Sequence, residues 1–151
     1  MKISFQWIKS LLPVQIAAEA AAAVLTATGL EVEGVESVES IPGGLEGLVV
    51  GRILACEQHP NADRLQLCTV DVGDEEPLNI VCGAKNARSG LSVIVAKVGA
   101  KLYPLEGEPF TIKKGKIRGE VSLGMICAED EIGTGRSHEG IIELDEKWYH
   151  W

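Results

Sequence analysis

The chain has 151 residues, 46% hydrophobic and 24% charged, with a formal net charge of −8 at pH 7. That is enough chain to bury a core, and it suggests one domain or one domain with an appendage. No apolar run approaches the ~20 residues a membrane-spanning helix needs, the N-terminus lacks a signal peptide's apolar stretch and cleavage site, and the acidic balance offers no broad basic surface for phosphate neutralisation.

Up to Pro42-Gly43-Gly44 the pattern is helical. Ser4 can cap a short helix running through Trp7 and Ile8 to Leu11 and Leu12. Pro13 suits the first turn of a second helix, in which Ile16, Ala20, Ala23, Val24 and Ala27 recur at helical spacing. Gly29 is a natural stop. Leu30 to Val38 then reads as a strand with valines among glutamates. This first piece is too small to stand alone comfortably and is expected to dock on the next domain or on a partner chain.

After residue 44 the signal is β. Apolar runs at Leu48–Cys56, Leu65–Val72, Leu78–Cys82, Leu91–Ala96, Phe110–Ile117, Met125–Ala128 and Gly140–Leu144 are separated by turn residues. This spacing argues for a sandwich or small barrel, not for βαβ units. Within Leu65–Val72 the alternation changes phase, which suggests a bulge or bend in that strand. The four cysteines, Cys56, Cys68, Cys82 and Cys127, form no CxxC pair. They read as small buried apolar residues in a reducing cytoplasm, with no zinc-ribbon spacing.

Four polar motifs punctuate the strands: His59-Pro60-Asn61-Ala62-Asp63-Arg64-Leu65, the segment GAKNARSG (Gly83 to Gly90), KKGKIRG (Lys113 to Gly119) and SLGMICAEDE (Ser122 to Glu131). The first has turn chemistry, since Pro60 fixes φ and Asn61 and Asp63 can bond their own backbone. Its functional reading places His59, Asn61 and Arg64 on a loop facing RNA, with the Arg64 fork suited to phosphate or base edges. Lys85, Asn86 and Arg88 form either a solvated loop or a polar loop over the same face. Residues 47–145 hold 11 basic and 15 acidic residues. The cations that cluster are Lys113, Lys114, Lys116 and Arg118, and no aromatic residue is interleaved with them, so stacking of single strands is not favoured.

Catalytic signatures are missing. Gly133-Thr134-Gly135 has His138 where a dinucleotide fingerprint needs its third glycine. Glu129, Asp130 and Glu131 are adjacent, so they point in different directions and suit salt links to Arg136 and lysines better than acid/base work. Ser137 and His138 have no defined third partner. No catalytic or metal-ligating residue is assigned.

Taken in order, these motifs resemble the tRNA-binding (EMAP II-like) OB-fold module of several aminoacyl-tRNA synthetases. With the opening MKISFQWIKSLL and with GLEVEGVE (Gly29 to Glu36), the chain is similar to the start of bacterial phenylalanyl-tRNA synthetase β subunits. The resemblance implies an α+β, mostly β fold. A helix-helix-strand mini-domain would span 1–44, an OB-fold β-barrel 45–147, and a tail or truncated continuation 148–151. It implies tRNA binding, with Arg64, Lys85, Asn86, Arg88, Lys113, Lys114, Lys116 and Arg118 as candidates. It also implies a longer cytoplasmic ligase that joins phenylalanine to tRNA-Phe as an (αβ)2 heterotetramer. There the α subunit uses ATP, with Mg2+, and this part is non-catalytic. Two other expectations stay open: a structural or protein-interaction module (or a free-standing tRNA-binding protein), and, on Glu139 and His138 alone, a small hydrolase.

Overall fold

A computed structural model describes residues 1–145. It contains two compact units, Met1–Val38 and a second beginning at Glu39.

In the first unit, α1 covers Phe5–Leu11 and α2 covers Ala18–Ala27. Ser4 caps α1 as its residue type predicts, its hydroxyl accepting from the Trp7 amide at 3.3 Å. The second helix begins five residues after Pro13 and not at it, so that expectation is corrected: residues 13–17 are non-helical. At its other end Gly29 has φ +96°. The Leu30 amide donates to Leu25 O and the Gly29 amide to Thr26 O, the paired bonds of a Schellman stop. Residues 30–38 are not a strand. Val32, Val35 and Val38 repeat every third residue, so in a strand Val35 would face away from the other two. The segment is held instead by Val32 N donating to Thr26 Oγ1 and by Lys2 pairing with Glu36 at 2.8 Å. No residue of this unit is buried.

The second unit is a barrel. Its strands are β1 (Leu48–Gln58), β2 (Gln66–Asp71), β3 (Leu78–Cys82), β4 (Ser92–Lys97), β5 (Lys101–Leu102), β6 (Phe110–Thr111), β7 (Gly115–Ile117), β8 (Glu120–Ser122) and β9 (Gly124–Ile126). Five of them form one antiparallel sheet in the order β3-β2-β1-β4-β9. The two ends of that sheet meet. Leu123 N donates to Asn79 O at 2.9 Å, and Val81 N donates to Ser122 Oγ at 3.1 Å. A nearly closed five-stranded barrel with β1 shared between β2 and β4 is the OB-fold arrangement.

Long β1 makes the closure possible. Leu48–Arg52 pairs with β4 and Arg52–Gln58 with β2. At Gly51 a Cβ would meet Val70 and Val95 side chains at 2.9 Å, so glycine marks a close crossing. The register slips between Ile53 and Ala55. The bulge therefore lies in β1, not in the 65–72 strand: β1 changes partners there and must bend, whereas β2 runs straight between two neighbours. Ile53, Val70, Ile80, Val93 and Val95 fill the interior at 0% exposure, each contributing about 1.5–3 kcal/mol of burial.

Two further expectations change. The run Phe110–Ile117 is two strands, because β6 pairs back on β5 while β7 turns into β8. Gly140–Leu144 is no strand beyond a single bridge from Leu144 to Ser92. The end of the expected OB module (146–147) and the expected tail (148–151) lie outside the described residues.

Candidate nucleic-acid interface

The motif His59–Leu65 is the loop joining β1 to β2, and KKGKIRG lies in the long connection between β4 and β9. On an OB barrel these are the two loops that flank the oligonucleotide face. Each is built locally. Arg118 and Gly119 have φ +48° and +100°, positive φ at both centres of a two-residue hairpin, as a type I′ turn between β7 and β8 requires. The β1–β2 loop is closed at its neck by His59 N donating to Leu65 O at 3.0 Å. It is braced inside by Gln58 Nε2 donating to Ala62 O and Leu65 O.

The two loops are joined through His59. Its ring is 3% exposed. Nδ1 accepts from the Asn61 amide at 3.0 Å, so the proton sits on Nε2, which donates to Ile117 O at 3.0 Å. Asn61 Nδ2 adds a bond to Arg118 O at 3.2 Å. His59 therefore does not face RNA. It fixes where the hairpin stands, through both ring nitrogens at once. Nothing in the sequence revealed this, because the residues it links are 58 apart.

Lys113, Lys114, Lys116, Arg118 and Arg64 are all exposed. Among the described residues none of them forms an ion pair. Five cations on two braced loops, unpaired among the described residues, remain available to an external anion. Among the described residues of the barrel, stacking partners are few. Tyr103 lies with its ring against Gly43, under Lys101 at 5.4 Å, and Phe110 is 41% exposed on β6.

The loop 83–91 differs. Asn86 Nδ2 donates to Ile141 O at 2.9 Å while Ile141 N donates to Asn86 Oδ1 at 3.0 Å, so the side-chain amide mimics a strand pair. A Cβ at Gly140 would overlap that amide. Arg88 grips Glu143 with two bonds of 2.9 and 2.8 Å. The guanidinium, and after it the Asn86 amide, holds the Glu143 carboxyl below its ordinary range, and Glu143 raises Arg88 in return. Ser89 Oγ and Gly90 N bond to Leu54 O and Ile53 O, covering the bulge. Lys85 is exposed and unpaired among the described residues. Of the three candidates here, two side chains are thus spent on holding the chain together.

The acidic segment also departs from expectation. Asp130 pairs with His138 at 3.0 Å, not with Arg136 or a lysine. Hydrogen bonding to Asp130, reinforced by its charge, raises His138. Glu131 Oε2 accepts from Ala128 N at 2.7 Å. Among the described residues no group of three His, Cys, Asp or Glu side chains is arranged to hold a metal ion. No described helix is long and apolar enough to cross a membrane.

Residues 48–149 match a family described as "Putative tRNA binding domain". The phenylalanine–tRNA ligase β subunit of Bacteroides fragilis is 55% identical over 146 residues, 97% of this chain and 18% of that protein. The β subunit of Bacteroides thetaiotaomicron is 56% identical over 95% of the chain and 17% of the relative, and that of Chlorobium chlorochromatii is 52% identical over 98% and 18%. This chain thus spans under a fifth of these relatives. Among solved structures, the C-terminal domain of Plasmodium vivax p43 is 26% identical over 52% of this chain and 43% of that one, with a TM-score of 0.40.

Proposed function

Because the chain belongs to this tRNA-binding domain family, we propose that its barrel is a non-catalytic module that contacts tRNA phosphates through the braced loops 59–65 and 113–119. One observation carries the reading: His59 and Asn61 lock together two loops that carry five cations unpaired among the described residues. Lys113, Lys114, Lys116 and Arg118 are the phosphate contacts, and Arg64 is the side chain whose fork suits a bidentate grip. With no stacking platform interleaved, the ligand is folded RNA met by shape and charge, not a threaded single strand. The whole protein to which such a chain would belong is a phenylalanine–tRNA ligase β subunit. It works with an α subunit as an (αβ)2 assembly, and ATP, Mg2+ and the joining chemistry lie outside these residues.

A second reading, a packing module with little RNA affinity, is favoured by the net charge of −8. A titration of tRNA into the purified chain at about 50 and about 200 mM salt separates the two. Binding that weakens steeply with salt supports phosphate contact. No binding at the lower salt would leave the packing module.

A further inference from the structure

Three of the four cysteines stand on neighbouring strands: Cys56 on β1, Cys68 on β2 and Cys82 on β3. Cys56 and Cys68 are register partners across the ladder, and their sulfurs lie 3.1 Å apart. Directly opposed residues in such a ladder have Cα atoms about 4.5–5.5 Å apart, within the ~4.4–6.8 Å that a disulfide spans. Cys82 is opposed to Gln66, and Cys68 to Ile80. Cys82 is therefore diagonal to Cys68, where Cα separations run to about 7–8 Å, beyond a disulfide's usual span although the two side chains hydrogen-bond. The partly buried Cys56 can meet a solute, while Cys68 behind it is 1% exposed.

We propose that Cys56 and Cys68 form an oxidation-responsive dithiol, which a peroxide converts to a cross-strand disulfide at the neck of the His59–Leu65 loop. Cys56 sulfur attacks one peroxide oxygen and becomes a sulfenic acid. The other oxygen leaves as water with the thiol proton. Cys68 Sγ then attacks the sulfenic sulfur. The S–S bond forms, the S–O bond breaks, and the hydroxyl departs with the Cys68 proton as a second water. The two sulfurs give up two electrons and the peroxide takes them. The hydrogen bond between Cys68 and Cys82, reinforced by burial, holds the Cys68 thiol above its ordinary value, and the same bond brings Cys82 down to about 7. Cys127 has no such neighbour. Burial pushes it up to about 12, and it serves as the internal control. This inference does not rest on RNA binding.

The test treats the folded chain with hydrogen peroxide, alkylates it in denaturant and reads intact mass, with dithiothreitol as the reversal. The expected result is loss of the mass of two hydrogens and a drop from four alkylated thiols to two. The loss should be absent in Cys56→Ser and in Cys68→Ser and intact in Cys82→Ser. Should buried Cys68→Ser fail to fold, the partly buried Cys56→Ser decides alone. Four thiols surviving, separate oxygen additions without a disulfide, a disulfide persisting in Cys56→Ser, or one lost in Cys82→Ser would each overturn the proposal.

Discussion

Three loops of this barrel carry the candidate basic residues, and they use them in two opposite ways. In the 59–65 loop and the 113–119 hairpin, neutral groups do the holding: a histidine ring, an asparagine amide and backbone carbonyls. The cations there stay unpaired among the described residues. In the 83–91 loop the candidates themselves do the holding, Asn86 on Ile141 and Arg88 on Glu143. The lesson is that a basic residue on a loop becomes a ligand contact only when something else supports the loop.

The largest effect that sharpens this contrast is on RNA affinity. Replacing Lys113, Lys114 and Lys116 by Ala, and Arg118 by Asn, removes four charges and leaves an Asn-Gly pair suited to the turn. Filter binding of tRNA should weaken on the order of a hundredfold near 0.1 M salt, with a salt slope shallower by about three. Next is His59→Leu, which strands the Asn61 amide and Ile117 carbonyl. It should cost about 1–3 kcal/mol in urea unfolding and also weaken tRNA binding, whereas His59→Gln keeps a donor for Ile117 and should recover part of both. Asn86→Ala should cost a similar amount, about 1–3 kcal/mol, without moving the salt slope. If it does move the slope, the distinction between the loops fails.

The smallest effect is one of pH. Glu143 is held below its ordinary 4.5 by Arg88 and Asn86. A depressed carboxylate gives stability that is present above its unfolded value and lost as pH falls through its folded one. At pH well below 4.5 the protection factor of the Ile141 amide against hydrogen exchange should therefore fall, and Arg88→Gln should abolish that step. The pair is exposed, so global stability should change little.

Much of the barrel was legible because strand signals are local. The runs at 48–56, 65–72 and 78–82 coincide with β1, β2 and β3 within two residues. What failed depended on partners far along the chain. Residues 30–38 had valines but no strand to pair with, and the bulge belonged to β1 because β1, not β2, changes neighbours. The cationic hairpin was readable as a charge cluster. The roles of His59, Asn86 and Arg88 were not, since their partners lie some 55–58 residues away and residue type alone fits a surface contact equally well.

The most direct measurement compares two variants that lose the same charge at different places: Lys116→Ala/Arg118→Asn against Lys85→Gln/Arg88→Gln. Phosphate contact through the hairpin predicts a tRNA salt slope shallower by about 1.5 in the first pair, at about 0.7–0.9 per contact. In the second pair the change should not exceed the one contact Lys85 can offer. Equal slopes in both pairs, or a larger loss in the second, would contradict it.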